Sequence, residues 1–184
     1  MAIERIAVLG AGQMGNGITQ VAAAAGYDVI MIDIEQEYVD KGLATIQRSL
    51  AKLVSKERMT QEDADATLAR ISLATDRSVC ADCDLVVEAV PEILDLKTSI
   101  FAELDGICKP ETILASNTSS ISISTIADAT NRPDRVIGMH FMNPVPIMKL
   151  VEVINGDKTS TETNAAVIEA SAKMGKTALS CNDS

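Results

Sequence analysis

The chain has no tryptophan, and two tyrosines and two phenylalanines are the only aromatics among its 184 residues. A core must therefore be assembled from Ala, Ile, Leu, Val and Met, and the 47% hydrophobic content suits an ordinary globular domain. Positive charge is also scarce. Sixteen Lys and Arg against 26 Asp and Glu leave a formal net charge of −10, which argues against nucleic acid as a main partner while leaving room for a local basic face. No basic segment precedes an apolar run near the start, and no run approaches the roughly 18 apolar residues of a membrane span. We expect a cytoplasmic protein with no membrane partner. The four cysteines include Cys80-Ala81-Asp82-Cys83, but there is no second close pair and only one histidine. Reduced thiols are expected rather than a metal site or disulfide framework. Without an internal repeat, low-complexity tract or linker, residues 1–184 read as one domain.

What is present begins with Gly10-Ala11-Gly12-Gln13-Met14-Gly15. It follows the apolar run Arg5-Ile6-Ala7-Val8-Leu9 and precedes Met14, Ile18, Val21, Ala22 and Ala25 at helical spacing. This is a strand, a tight turn and a helix, with Gly26 as the stop. Gly10 permits the turn, Gly12 lets backbone approach a pyrophosphate, and Gly15 lets helix and strand pack closely. A second strand, 27–32, leads to Asp33, 21 residues beyond Gly12. A carboxylate there accepts hydrogen bonds from the adenosine ribose and repels a 2′-phosphate. No arginine follows directly, so NAD is favoured over NADP.

After Asp33, Val39, Leu43, Ile46, Leu50 and Leu53 mark a long helix, and Thr60 can begin another through Leu68, a helical hairpin inserted into strand–helix alternation. Between Lys41 and Arg58 stand five basic residues and one acid. Lys41, Arg48, Lys52 and Lys56 share a face away from the apolar stripe, either a solvated surface or a handle for a phosphate-rich ligand. Further strands are expected at 71–75, 85–87, 113–115, 136–139 and 150–154. A helix is expected to start at Pro91-Glu92 with Ile93, Leu96, Ile100 and Leu104 inward, and another to follow the capping box Thr159-Ser160-Thr161-Glu162 and stop at Gly175. The class is α/β, a Rossmann-type doubly wound, mainly parallel sheet.

In such sheets ligands lie beyond the carboxyl ends of the strands, where Asp33, Glu88, Asn117 to Ser120 and His140 collect. His140, the single histidine, can exchange a proton near neutral pH. Glu152 can fix its tautomer, and an acid between Val151 and Val153 in a buried parallel sheet needs a partner. Ser119 can donate to a substrate oxygen and Asn117 can bind the nicotinamide ribose, or either can cap the next helix. Asn143, before Pro144-Val145-Pro146, is a ligand contact or a turn residue.

Together Gly10-Ala11-Gly12-Gln13-Met14-Gly15, Glu88-Ala89-Val90-Pro91-Glu92, Ser116-Asn117-Thr118-Ser119-Ser120 and His140-Phe141-Met142-Asn143-Pro144-Val145-Pro146 resemble the L-3-hydroxyacyl-CoA dehydrogenase family. The likeness is particularly to its bacterial 3-hydroxybutyryl-CoA branch. The resemblance implies interconversion of a short 3-hydroxyacyl-CoA and its 3-oxo form, acetoacetyl-CoA, with NAD. His140 then matches the general acid/base, Glu152 its orienting carboxylate and Ser119 the substrate-oxygen partner. The glycine turn with Gln13 and Met14, then Asp33, Glu92, Lys97 and Asn117, match cofactor contacts. Ser49, Lys52 and Lys56 match positions holding the CoA arm, and Asn143 one near nicotinamide and substrate. The family continues into a helical dimerisation domain and places a further catalytic asparagine beyond Ser184. The expectation is therefore the cofactor domain of a homodimeric enzyme, binding NAD(H) but poorly active alone. Two other readings stay open. A hydroxyisobutyrate-type dehydrogenase shares the turn but relies on a lysine and leaves Lys52 and Lys56 unexplained. A non-catalytic NAD-binding module has no need of His140 and Glu152.

Overall fold

The computed structural model describes residues 2–184. In β1 (Arg5–Leu9), Ile6 and Val8 pack on one side and Ala7 and Leu9 on the other, all buried. A strand apolar on both faces must lie inside a sheet covered on both sides. Seven more strands join it: β2 (Asp28–Ile32), β3 (Ile71–Ala74), β4 (Leu85–Glu88), β5 (Ile113–Ser116), β6 (Val136–Phe141), β7 (Leu150–Asn155) and β8 (Thr177–Asn182). Their order is β3-β2-β1-β4-β5-β6-β7-β8, and every pairing is parallel except β6 with β7. The first six follow the dinucleotide-binding order, which reverses between β1 and β4.

Helices α1 (Gln13–Ala24) and α6 (Thr161–Lys173) cover one face through Ile18, Ala22, Val167 and Ala170. Helices α4 (Leu94–Ile107) and α5 (Ile123–Ala127) cover the other through Ile100, Phe101, Leu104 and Ile126. The expected hairpin is α2 (Gln36–Ser55) with α3 (Gln61–Ala69), closed over Met31 by Val39, Ile46, Leu50 and Ala64. Buried Arg132 ties the end of α4 to the approach of β5. Its guanidinium donates to Asp105 Oδ1 at 2.7 Å and to the carbonyls of Asp105, Cys108, Lys109 and Thr112.

Three expectations need correction. Residues 177–182 form a strand that the sequence pattern does not announce. It is a half-exposed edge held by backbone pairing with β7, so its side chains need no apolar alternation. Helix α4 starts at Leu94 rather than Pro91, and Ile93 and Leu96 are exposed while Lys97 is buried. The cause is an ion pair that turns Lys97 inward. His140 lies within β6 rather than past it, and Glu152 is partly exposed on β7, which pairs antiparallel with β6 and parallel with β8.

Cys80, Cys83 and Cys108 are buried and Cys181 is partly exposed. Burial pushes the Cys80 thiol far above its ordinary value and those of Cys83 and Cys108 to about 11. A native titration with a charged disulfide reagent is expected to modify Cys181 first, the other three reacting only on unfolding; two fast native thiols would contradict this. Among the described residues no cluster of His, Cys, Asp and Glu is placed to hold a metal ion, and no helix is long and apolar enough to cross a membrane.

Candidate active site

The site forms where β1 and β4 part. Gly10 takes φ +106°, and a Cβ there would lie 2.6 Å from the Ala89 carbonyl oxygen. A Cβ on Gly15 would fall 1.8 Å from the Gly10 oxygen, so α1 presses directly on the turn. Gly12 differs. Nothing lies within 4 Å of its missing Cβ, leaving a cradle that a side chain would fill. Gly12 is also the N-cap of α1, with no side chain to occupy the first-turn N–H groups, and these suit a pyrophosphate. Asp33 anchors the adjoining wall: Oδ2 accepts from Ala11 N at 2.9 Å and Oδ1 from Ile34 N at 2.7 Å. A cleft of about 570 Å³ opens here, lined by Gly10, Gly12, Gln13, Met14, Asp33 and Tyr38 among others. An open glycine, free helix N–H groups and a carboxylate with remaining lone pairs fit the adenosine and pyrophosphate of NAD.

A second cavity of about 290 Å³ shares Met14, Ala89 and Val90 with the first, so the two make one groove across the strand-order reversal. Its lining brings together Glu92, Lys97, Asn117, Ser119, His140 and Asn143. Antiparallel register sets His140 opposite Glu152, and Nδ1 lies 3.1 Å from Oε1. A carboxylate partner fixes the proton of the neutral ring on Nδ1 and leaves Nε2 as the acceptor. Asn117 Oδ1 accepts from Phe141 N at 2.8 Å, which leaves its amide NH₂ to donate. Neither Asn117 nor Ser119 caps a helix; Ser122 caps α5, and Thr118 Oγ1 accepts from Ile121 N. Asn143 lines the cavity and also opens a turn in which Pro144 O accepts from Ile147 and Met148 N.

Beneath this cavity lies a buried network that sequence reasoning left incomplete. Glu88 is fully buried at the end of β4 and accepts from Ser116 Oγ at 2.6 Å, Val90 N at 2.9 Å and Lys97 Nζ at 2.5 Å. Lys97 Nζ also approaches Val90 O and Glu92 Oε1, both at 3.3 Å. Glu92 in turn accepts from Thr118 Oγ1 at 2.7 Å, Ser119 N at 3.1 Å and Ser119 Oγ at 3.3 Å. Partial burial acts to raise the Glu92 carboxyl, but these hydrogen bonds and the Lys97 charge together leave it below its ordinary value. The sequence places Glu88 at this strand end but assigns it no role; its pairing with Lys97 comes from the structure. Its signal was an acid closing the apolar run Leu85-Val86-Val87 with a lysine nine residues later.

Ser49, Lys52 and Lys56 line neither cavity. On α2, Lys41 pairs with Glu37 at 3.0 Å, whereas Lys52 and Lys56 form no ion pair among the described residues. Ser49 Oγ accepts from buried Gln20 Nε2 at 2.9 Å, which ties α2 to the dinucleotide helix.

Residues 5–184 match the model of the family described as 3-hydroxyacyl-CoA dehydrogenase, NAD binding domain. A probable 3-hydroxybutyryl-CoA dehydrogenase of Deinococcus radiodurans is 54% identical over 179 residues, covering 97% of this chain and 64% of that protein. A 3-hydroxybutyryl-CoA dehydrogenase of Bradyrhizobium diazoefficiens is 51% identical over 174 residues, covering 95% and 59%. Among solved structures, the (S)-3-hydroxybutyryl-CoA dehydrogenase of Ralstonia eutropha superposes with a TM-score of 0.97 at 46% identity, covering 100% of this chain and 65% of that one. The chain thus spans less than two thirds of the length of these relatives. The family match begins at the first residue of β1 and continues through β8, so every strand and helix described above falls inside it. This chain belongs to the 3-hydroxyacyl-CoA dehydrogenase family, as its NAD-binding domain.

Proposed function

We propose that this chain binds NAD and supplies the proton-transfer chemistry for interconverting 3-hydroxybutyryl-CoA and acetoacetyl-CoA. The observation that carries the reading is the His140–Glu152 pair, with its ring in the cavity that continues from the glycine turn. The nicotinamide, when bound, accepts or returns the hydride. His140 Nε2 takes the hydroxyl proton as the carbonyl forms and returns it in the reverse direction, while Glu152 orients the ring and stabilises imidazolium. Ser119 exchanges its long bond to Glu92 for one to the substrate oxygen. Asn117 donates to the nicotinamide ribose, Asn143 borders nicotinamide and substrate, and Asp33 accepts from the adenosine ribose. Glu92 and Lys97 form the floor, and Lys97 acts through Glu92 because its ammonium already has acceptors. Lys52 and Lys56, which form no ion pair among the described residues, hold with Ser49 the phosphates of the CoA arm.

Titration with NADH and NADPH, followed by nicotinamide fluorescence, tests the cofactor half. NADPH is expected to bind at least about tenfold more weakly, because Asp33 meets its 2′-phosphate; equal affinity would overturn the role given to Asp33. Repeating the NADH titration with acetoacetyl-CoA tests the substrate half. A shift in the NADH curve that weakens in Lys52→Ala/Lys56→Ala and at raised salt is expected. No shift at any acetoacetyl-CoA concentration would refute the substrate assignment.

A further inference from the structure

Asn143 reaches the nicotinamide-side cavity from a segment, residues 143–149, that belongs to no strand or helix. Contacts on two sides anchor it, and neither side belongs to the groove. Lys176, between α6 and β8, points its ammonium at two carbonyls of the segment, Val145 O at 2.6 Å and Met148 O at 2.7 Å. The next residue, Thr177, donates from its N to Lys149 O at 2.7 Å. On the other side Gly17, in the second turn of α1, receives buried Val145: a Cβ on Gly17 would lie 2.8 Å from Val145 Cβ and 3.6 Å from Pro146 Cδ. Gly17 lies one helical turn beyond the start of α1, and the contact with Val145 accounts for the small residue there.

Lys176 stands in an unusual setting. It makes no ion pair with a carboxylate among the described residues, it is partly buried, and burial and then the Lys149 charge push its ammonium below the ordinary lysine value. A charged lysine held on carbonyls alone fits a role in fixing those carbonyls.

We infer that Lys176 and Gly17 are positioning residues for the reaction: they clamp the 143–149 segment between α1 and the β7–β8 edge and so hold Asn143 at the nicotinamide. The inference rests on the dinucleotide reading above. It makes the nicotinamide half of the groove depend on the clamp and leaves the adenosine half, built on the glycine turn and Asp33, independent of it.

Comparing NADH with ADP-ribose, which keeps the adenosine and pyrophosphate but lacks nicotinamide, separates the two halves. In Lys176→Met the NADH Kd is expected to rise about tenfold while that for ADP-ribose stays within about twofold. Gly17→Ala is expected to show the same split by displacing Val145 from the other side. Lys176→Arg, still able to donate to both carbonyls, is expected to recover most of the NADH affinity and covers the case in which Lys176→Met fails to fold. Equal losses for both ligands, or an NADH Kd unchanged in both Lys176→Met and Gly17→Ala, would overturn the inference. Failure of the unsubstituted chain to bind ADP-ribose would instead overturn the dinucleotide reading, and the clamp's role with it.

Discussion

Lys97→Met is expected to cost the folded state about 3–5 kcal/mol, the loss that follows when one member of a buried ion pair is removed and the other stays behind. Glu88 has no route to water: it is fully buried, and among the described residues Lys97 supplies the only positive charge paired with it. Its bonds from Ser116 and Val90 remain in the variant, but two neutral donors do not compensate a desolvated carboxylate. Against the roughly 5–15 kcal/mol typical of a domain, this loss is large. Urea unfolding of the variant and the parent, compared at constant m, measures it. Glu88→Gln combined with Lys97→Met is expected to recover much of the deficit, since the amide is neutral and can still accept from Ser116. A single variant within about 1 kcal/mol of the parent would show that the pair contributes little.

His140→Gln is expected to lower acetoacetyl-CoA-dependent NADH oxidation by about 10²–10⁴-fold, the usual contribution of a positioned acid or base. Glutamine keeps much of the side chain's bulk and polarity but cannot transfer a proton near neutral pH. The NADH Kd should hold within about twofold, because the cleft proposed for the adenosine, walled by Asp33, does not include the ring. Single-turnover absorbance with protein in excess over NADH reads even a slow rate. Glu152→Gln should give a smaller loss, since it removes the charge that stabilises imidazolium and leaves a hydrogen-bonding group facing Nδ1. An unchanged rate in His140→Gln would remove it from the chemistry.

The parts of this site legible in the sequence were those that local chemistry specifies. Gly10, Gly12 and Gly15 take their meaning from the apolar strand before them and the helix after them, and Asp33 at the end of a short apolar run locates the adjoining strand terminus. His140 and Glu152 could be proposed as partners because an isolated acid among valines needs one. Their 3.1 Å contact comes from the antiparallel register of β6 and β7, and the pattern of either strand alone is compatible with both directions. The phase of α4 was misread for a related reason. Apolar spacing pointed Leu96 inward, whereas the structure buries Lys97 because Glu88, brought alongside from β4, outweighs the apolar stripe. Strand β8 escaped notice because an edge strand is specified by its neighbour's unpaired backbone more than by its own side chains.

The sequence by itself determined the α/β class, the dinucleotide turn, the preference for NAD and the residue types available for proton transfer. Each depends on near neighbours in the chain, where spacing translates directly into geometry. Only the tertiary structure decided which distant groups share a charge or a hydrogen bond: Lys97 on Glu88, Glu92 on Ser119, Lys176 on the carbonyls beside Asn143. Those contacts join elements through strand order and register, which follow from the packing of both sheet faces at once, and no local pattern carries that information.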